Sequence, residues 1–176
     1  MIISSLSILG FLLFVIHELE EILRFRPWIV KHQNDPAYKN DNIIKRSWAY
    51  PSTTTIIIMI IEECILFLIM FAFAVILESY ELALAAIIIN VLHLFVHCVD
   101  AVRSSRWTPG SMTALPTAII AILLVWVVMA TQYIQLGQLL SLVAVLGVFM
   151  LINLLLLQKN AQRIERWQKK VRLHAR

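Results

Sequence analysis

Apolar residues run through the chain in five stretches, about 2–23, 54–77, 82–100, 116–135 and 138–158, separated by short polar segments. Roughly 20 apolar residues let an α-helix cross the hydrocarbon layer, whereas the strands of a barrel would alternate apolar and polar positions. The pattern predicts an all-α fold: a polytopic membrane helical bundle with about five transmembrane helices, built as a single domain over 1–176. The first stretch has neither a basic n-region nor a small-residue cleavage site, and it ends in His-Glu-Leu-Glu-Glu. It reads as a retained helix rather than a signal peptide.

Composition agrees, since 60% of the 176 residues are hydrophobic and the mean hydropathy is +0.82, values that exclude an ordinary soluble domain. Charge then orients the bundle. All fifteen Lys and Arg fall in 24–50, in 103–106 or after Leu157, and with five spans these three regions share one side. The positive-inside rule gives N-terminus out and C-terminus in, with 159–176 a basic cytoplasmic tail. That tail places Ile164, Trp167 and Val171 on one helical face among basic residues. It is suited either to anionic lipid headgroups or to a solvated extension of the last span. The net charge of +4 lies in these cytoplasmic segments, and no nucleic-acid motif accompanies it. Pro27, Pro36 and several Asn mark 25–50 as a loop with one short interfacial helix. Cys64 and Cys98 lie inside spans and form no CxxC pair, which favours small buried hydrophobes over a disulfide.

Polar residues inside the spans carry the chemistry. A carboxylate at bilayer depth costs about 2.5–3.5 kcal/mol on insertion scales, yet Glu62 and Glu63 stand together in the second span. In the first span His17, Glu20 and Glu21 share a helical face with Arg24, and Glu18 points elsewhere. In the third, Asn90, His93, His97 and Asp100 cover an arc of roughly 80°. Counted at 1.5 Å per residue, His17, His93, His97 and Glu62 lie within about one helical turn of the same depth, in the cytoplasmic half.

Three imidazoles and several carboxylates from three helices are a ligand set for one or two divalent ions of Zn, Fe or Mn. His17 with Glu21, and His93 with His97, have the i, i+4 spacing that lets side chains on consecutive turns share one ion. The expected ligands are His17, Glu21, Glu62, His93 and His97. Glu20 and Glu63 are the expected catalytic bases, supported by Asn90, Asp100 and Arg24. A divalent ion can make a nucleophile of water at neutral pH, with a spare glutamate taking the proton.

This chemistry predicts a membrane metal-dependent enzyme that hydrolyses or otherwise modifies a lipid-like or amphipathic substrate. Three alternatives share the same groups: a proton- or metal-ion-coupled transporter, a di-iron-type oxidoreductase, and a polar network that only holds helices together. A homo-oligomer is compatible with all of them. The expected location is the cytoplasmic membrane of a bacterium or archaeon.

His17-Glu18-Leu19-Glu20-Glu21 forms a His-x-x-Glu-Glu signature, and with the later Asn90-x-x-His93 and Pro109-Gly110 elements the chain resembles the HXXEE family of small membrane proteins. The resemblance implies that His17, Glu20 and Glu21 are functional positions, and it leaves the reaction open.

Overall fold

The protein is described by a computed structural model covering residues 2–174; Met1 and the last two residues of the expected tail lie outside the described residues. Among them the regular structure is helical: α1 (Ile3–His32), α2 (Asn42–Lys45), α3 (Thr53–Ile76), α4 (Tyr80–Ser104), α5 (Ser111–Thr131) and α6 (Leu136–His174), with single 3-10 turns at Pro36–Tyr38 and Ser47–Ala49. Four of these, α3 to α6, are long and apolar enough to cross a membrane. The first of the five expected spans is carried by α1, whose apolar run ends at Ile16 before the charged residues begin. It packs against α3, α4 and α5.

Local sequence explains most of the boundaries. Ser52 caps α3 by accepting from Thr55 N–H at 3.2 Å, and Ser79 caps α4 by accepting from Leu82 N–H at 3.2 Å, which fixes a tight α3–α4 turn. The α4–α5 connection uses two positive φ values, 52° at Ser105 and 85° at Gly110. These end one helix and start the next within seven residues.

Two boundaries depart from the sequence reading. Helix α1 continues through Pro27 to His32, although an interior proline costs a helix about 3 kcal/mol. Phe25 and Ile29 offset that cost by burying themselves against Ile43, Ile56 and Ile60. Helix α6 likewise runs on past the apolar stretch, so the basic tail is a continuous extension. It is held along its length: Gln162 donates to Trp48 O at 2.8 Å, Gln168 to Thr55 Oγ1 at 3.1 Å and Arg172 to Thr54 Oγ1 at 3.1 Å. Ser52 and Thr55 hydroxyls both donate to Glu165. The tail is thus docked on the start of α3, with Trp167 and Val171 left exposed.

The main core joins Leu6, Leu13 and Phe14 of α1, Phe67 and Phe71 of α3, and the small residues Ala83, Ala85 and Ala86 of α4. Half of the apolar window of α4 is buried, against 11% for α6, so α4 is the inner helix and its polar residues face protein. Close approach is tightest at Gly10. A Cβ there would lie 2.8 Å from both Ile87 and Phe71 side chains. At one end of the bundle the C-terminal parts of α1 and α4 meet the N-termini of α3 and α5 and the tail of α6. The basic segments collect at this end.

Candidate metal centre

On α1 the sequence His17-Glu18-Leu19-Glu20-Glu21 buries every ionisable member: His17 is 0% exposed, Glu18 2%, Glu20 6% and Glu21 8%. Helical spacing sends them to more than one side, and α1 is enclosed on several sides. Glu18, expected to point elsewhere, therefore faces protein too, with its Oε1 3.8 Å from His93 Nε2. His93 and His97 stand one turn apart on α4 and turn the same edge towards α1.

The three imidazoles are mutually edge-on. Ring centroids are 5.2 Å apart for His17 and His93, 4.8 Å for His17 and His97 and 4.8 Å for His93 and His97. Glu21 Oε1 sits among them, 2.9 Å from His97 Nε2, 3.6 Å from His17 Nε2 and 4.0 Å from His93 Nε2. One ligand atom from each of the four residues lies within 4.8 Å of the others. Four N and O ligands around a tetrahedral ion at about 2.0–2.2 Å would be spaced roughly 3.3–3.6 Å apart. The group needs only small side-chain movements to reach that geometry.

Satisfaction of the buried atoms points the same way. His17 Nε2, His93 Nε2, Glu18 Oε1 and Glu20 Oε1 are buried without a hydrogen-bond partner, a costly state, and Glu21 Oε1 has only its 2.9 Å contact with His97 Nε2. Among the described residues no Lys or Arg is recorded in an ion pair with Glu18, Glu21 or Glu63, whereas Arg24 pairs with Glu20 and Lys169 with Glu165. A divalent cation would cancel the charges of Glu18 and Glu21 and satisfy the imidazole nitrogens at once. The donor set fits a metal ion.

The outer contacts prepare His17 for that role. Thr113, in the first turn of α5, donates from N–H and from its hydroxyl to Glu20 Oε2, both at 2.7 Å. A hydroxyl has one proton to give, so at the 3.1 Å contact between Thr113 Oγ1 and His17 Nδ1 the imidazole must be the donor. That tautomer leaves the Nε2 lone pair aimed into the cluster. Glu20 is fixed from its other side by Arg24, Nε to Oε1 at 3.8 Å. It also does for α5 what an N-cap side chain would do, because Gly110 supplies none.

His97 is seated by the α4–α5 turn. A Cβ on Gly110 would come within 2.6 Å of His97 Nδ1, so the ring occupies space that only glycine leaves open.

The other expected residues have separate placements. Glu62 is not in the group: its Oε2 accepts from Asn153 Nδ2 of α6 at 2.8 Å, because Glu62 and Glu63 point about 100° apart on α3. Glu63 is the buried member of the pair, close enough to Glu18 and Glu21 for their charges to interact. Glu20, expected as a base, accepts both Thr113 bonds on Oε2, while its Oε1 has no hydrogen bond and lies 3.8 Å from Arg24 Nε. Asn90 is buried with its Oδ1 unpartnered. Asp100 lies beyond the cluster and accepts from Asn42 Nδ2 at 2.8 Å. Glu18 and Thr113 are the additions. Glu18 was visible inside the signature, while nothing in the sequence around Thr113 distinguishes it, since only folding brings α5 to α1.

No curated protein and no solved structure matches this chain. Residues 8–127 match the family described as proteins of unknown function with an HXXEE motif. That match covers more than half of the chain and includes His17-x-x-Glu20-Glu21, both histidines of α4 and Thr113. The chain belongs to the HXXEE family.

Proposed function

We propose that the protein is a membrane-embedded metal-dependent enzyme, hydrolytic in type, acting on an amphipathic substrate at the cytoplasmic boundary of the bilayer. The observation that carries this reading is the convergence of buried, unpartnered His17 Nε2 and His93 Nε2 on the Glu21 Oε1 that His97 already contacts at 2.9 Å. A purely structural network would satisfy those atoms with one another.

The donor set supports one borderline divalent ion, of the Zn, Fe or Mn kind. When bound, the ion would supply Lewis acidity to a substrate oxygen or to water. The chain's own part is positional and acid–base. Thr113 and Glu20 hold His17, the Gly110 turn holds His97, and Glu18 and Glu63 remain as buried carboxylates without a cationic partner. In hydrolysis, water adds across the scissile ester bond. One of these two carboxylates takes its proton and returns it to the leaving alkoxide.

Three basic segments at the same end of the bundle support a cytoplasmic orientation for the site. Its place near the boundary gives access from the leaflet as well as from water.

Elemental analysis of protein purified without chelator tests the reading. Wild type is expected to carry about one equivalent of metal per chain, as a single four-ligand site requires, and the His17→Ala/His93→Ala variant none. Wild type that stays metal-free after incubation with each ion overturns it. Turnover of a lipid-ester panel in detergent, where no gradient exists, then separates an enzyme from a coupled transporter.

A further inference from the structure

Beyond the histidines, a polar cavity of about 320 Å³ opens between the 36–42 segment and the C-terminal end of α4, with Tyr38, Asp41, Asn42, Asp100, Arg103 and Arg106 in its wall. Its ionisable side chains are two aspartates, two arginines and one tyrosine, so the formal charge cancels. A simple anion or a simple cation gains little there, whereas a molecule bearing both signs meets a partner for each.

The two poles are distinct. Asp100 Oδ1 is drawn to the 41–42 side by the Asn42 Nδ2–H bond of 2.8 Å, next to Asp41, whose Oδ1 accepts from Ile43 N–H at 2.9 Å. Each carboxylate keeps its second oxygen available. Arg106 is held with its guanidinium 4.2 Å above the Tyr38 ring and its Nε donating to Ser104 O at 3.0 Å, which leaves its terminal N–H groups free. Arg103 makes no hydrogen bond or ion pair among the described residues. Two guanidiniums so placed suit a phosphate, which arginine binds through paired N–H donors.

We propose that this cavity binds a zwitterionic phospholipid head, with the phosphate on Arg103 and Arg106 and a primary ammonium on Asp41 and Asp100. A primary ammonium offers three N–H donors to the carboxylates and to Asn42. A quaternary ammonium offers none and needs an aromatic cage, but the only ring in the wall, Tyr38, is already covered by Arg106. Asp100 follows His97 by three residues, roughly 4.5 Å along α4. A head held here therefore places the ester region of the same lipid near the histidines. This identification of the substrate class rests on the metalloenzyme reading, although the binding itself does not.

Calorimetric titration of the detergent-solubilised full chain with short-chain phosphatidylethanolamine tests it, using phosphatidylcholine, phosphatidylglycerol and inorganic phosphate as comparisons. The ethanolamine lipid is expected to bind about tenfold or more tighter than each comparison. Arg103→Gln/Arg106→Gln and Asp41→Asn/Asp100→Asn are each expected to lose that margin with unchanged melting temperature; asparagine still caps α2. His17→Ala/His93→Ala is expected to bind the lipid as wild type does, so retained binding in a metal-free protein would leave this site standing while the enzyme reading falls. Equal binding of phosphatidylglycerol or of free phosphate, or unchanged affinity in the double arginine variant, overturns the proposal.

Discussion

Because Thr113 spends its only hydroxyl proton on Glu20, His17 has no choice of tautomer. Thr113→Val removes the hydroxyl that accepts from His17 and donates to Glu20, leaving the backbone N–H on Glu20, and is expected to weaken metal binding about 10–100-fold, the usual effect of losing an orienting contact behind a metal ligand. Thr113→Ser should restore most of it, and competition with a chromophoric chelator distinguishes the two. Gly110→Ala forces a Cβ to within 2.6 Å of the His97 ring at a φ of 85°. It is expected to lose metal and to destabilise the protein by about 1–3 kcal/mol, read by metal stoichiometry and thermal unfolding. At this scale the sequence was informative where spacing and depth were enough: His17, Glu21, His93 and His97 follow from two i, i+4 pairs at one height. It misled where facing mattered. Helical spacing turns Glu18 away from the face of His17 and Glu21, yet protein encloses α1 on that side too, and nothing in an adjacent pair tells which of Glu62 and Glu63 turns inward.

Helix ends were less legible than helix existence. Burial of Phe25 and Ile29 carried α1 through Pro27, and contacts with residues 48–55 turned the basic tail into a docked extension of α6. Both are tertiary effects, invisible to local pattern. The tail also has a pH dependence. Hydrogen bonds from Ser52, then Thr55 and Lys169, hold the Glu165 carboxyl below its ordinary range. A depressed carboxylate stabilises the docked form fully above the unfolded value of about 4.3, and that contribution is lost as pH falls through the folded value. A spin label at Val171→Cys, in a background lacking Cys64 and Cys98, is therefore expected to stay immobile from neutral pH down to about pH 5 and to loosen below the unfolded value. Glu165→Gln should remove the acid transition, and an unchanged transition in that variant would exclude Glu165 as its cause.

The whole molecule is organised around an inner α4, which α1 approaches closely at Gly10 and meets again at the histidines. Gly10→Leu is expected to force Ile87 and Phe71 aside and to cost about 1–3 kcal/mol or more, as overpacking does, measured by thermal unfolding in detergent. If metal binding nonetheless persists, the two ends of the bundle are energetically separable. The alternation of apolar stretches made the bundle readable from sequence, together with its polar end. It could not tell that α1 differs in kind from the four apolar helices, half core element and half carrier of the site.

The cap that Glu20 lends to α5 also sets a timetable for biogenesis. Glu20 and Thr113 are 93 positions apart, so a growing chain exposes the signature long before its partner leaves the ribosome. Until α5 enters the bilayer, Arg24 is the only partner Glu20 has and His17 has no fixed proton. A nascent chain released after α4 would own every ligand and still present His17 unoriented. An ion held by the proposed centre would thus enter an inserted protein rather than a nascent one.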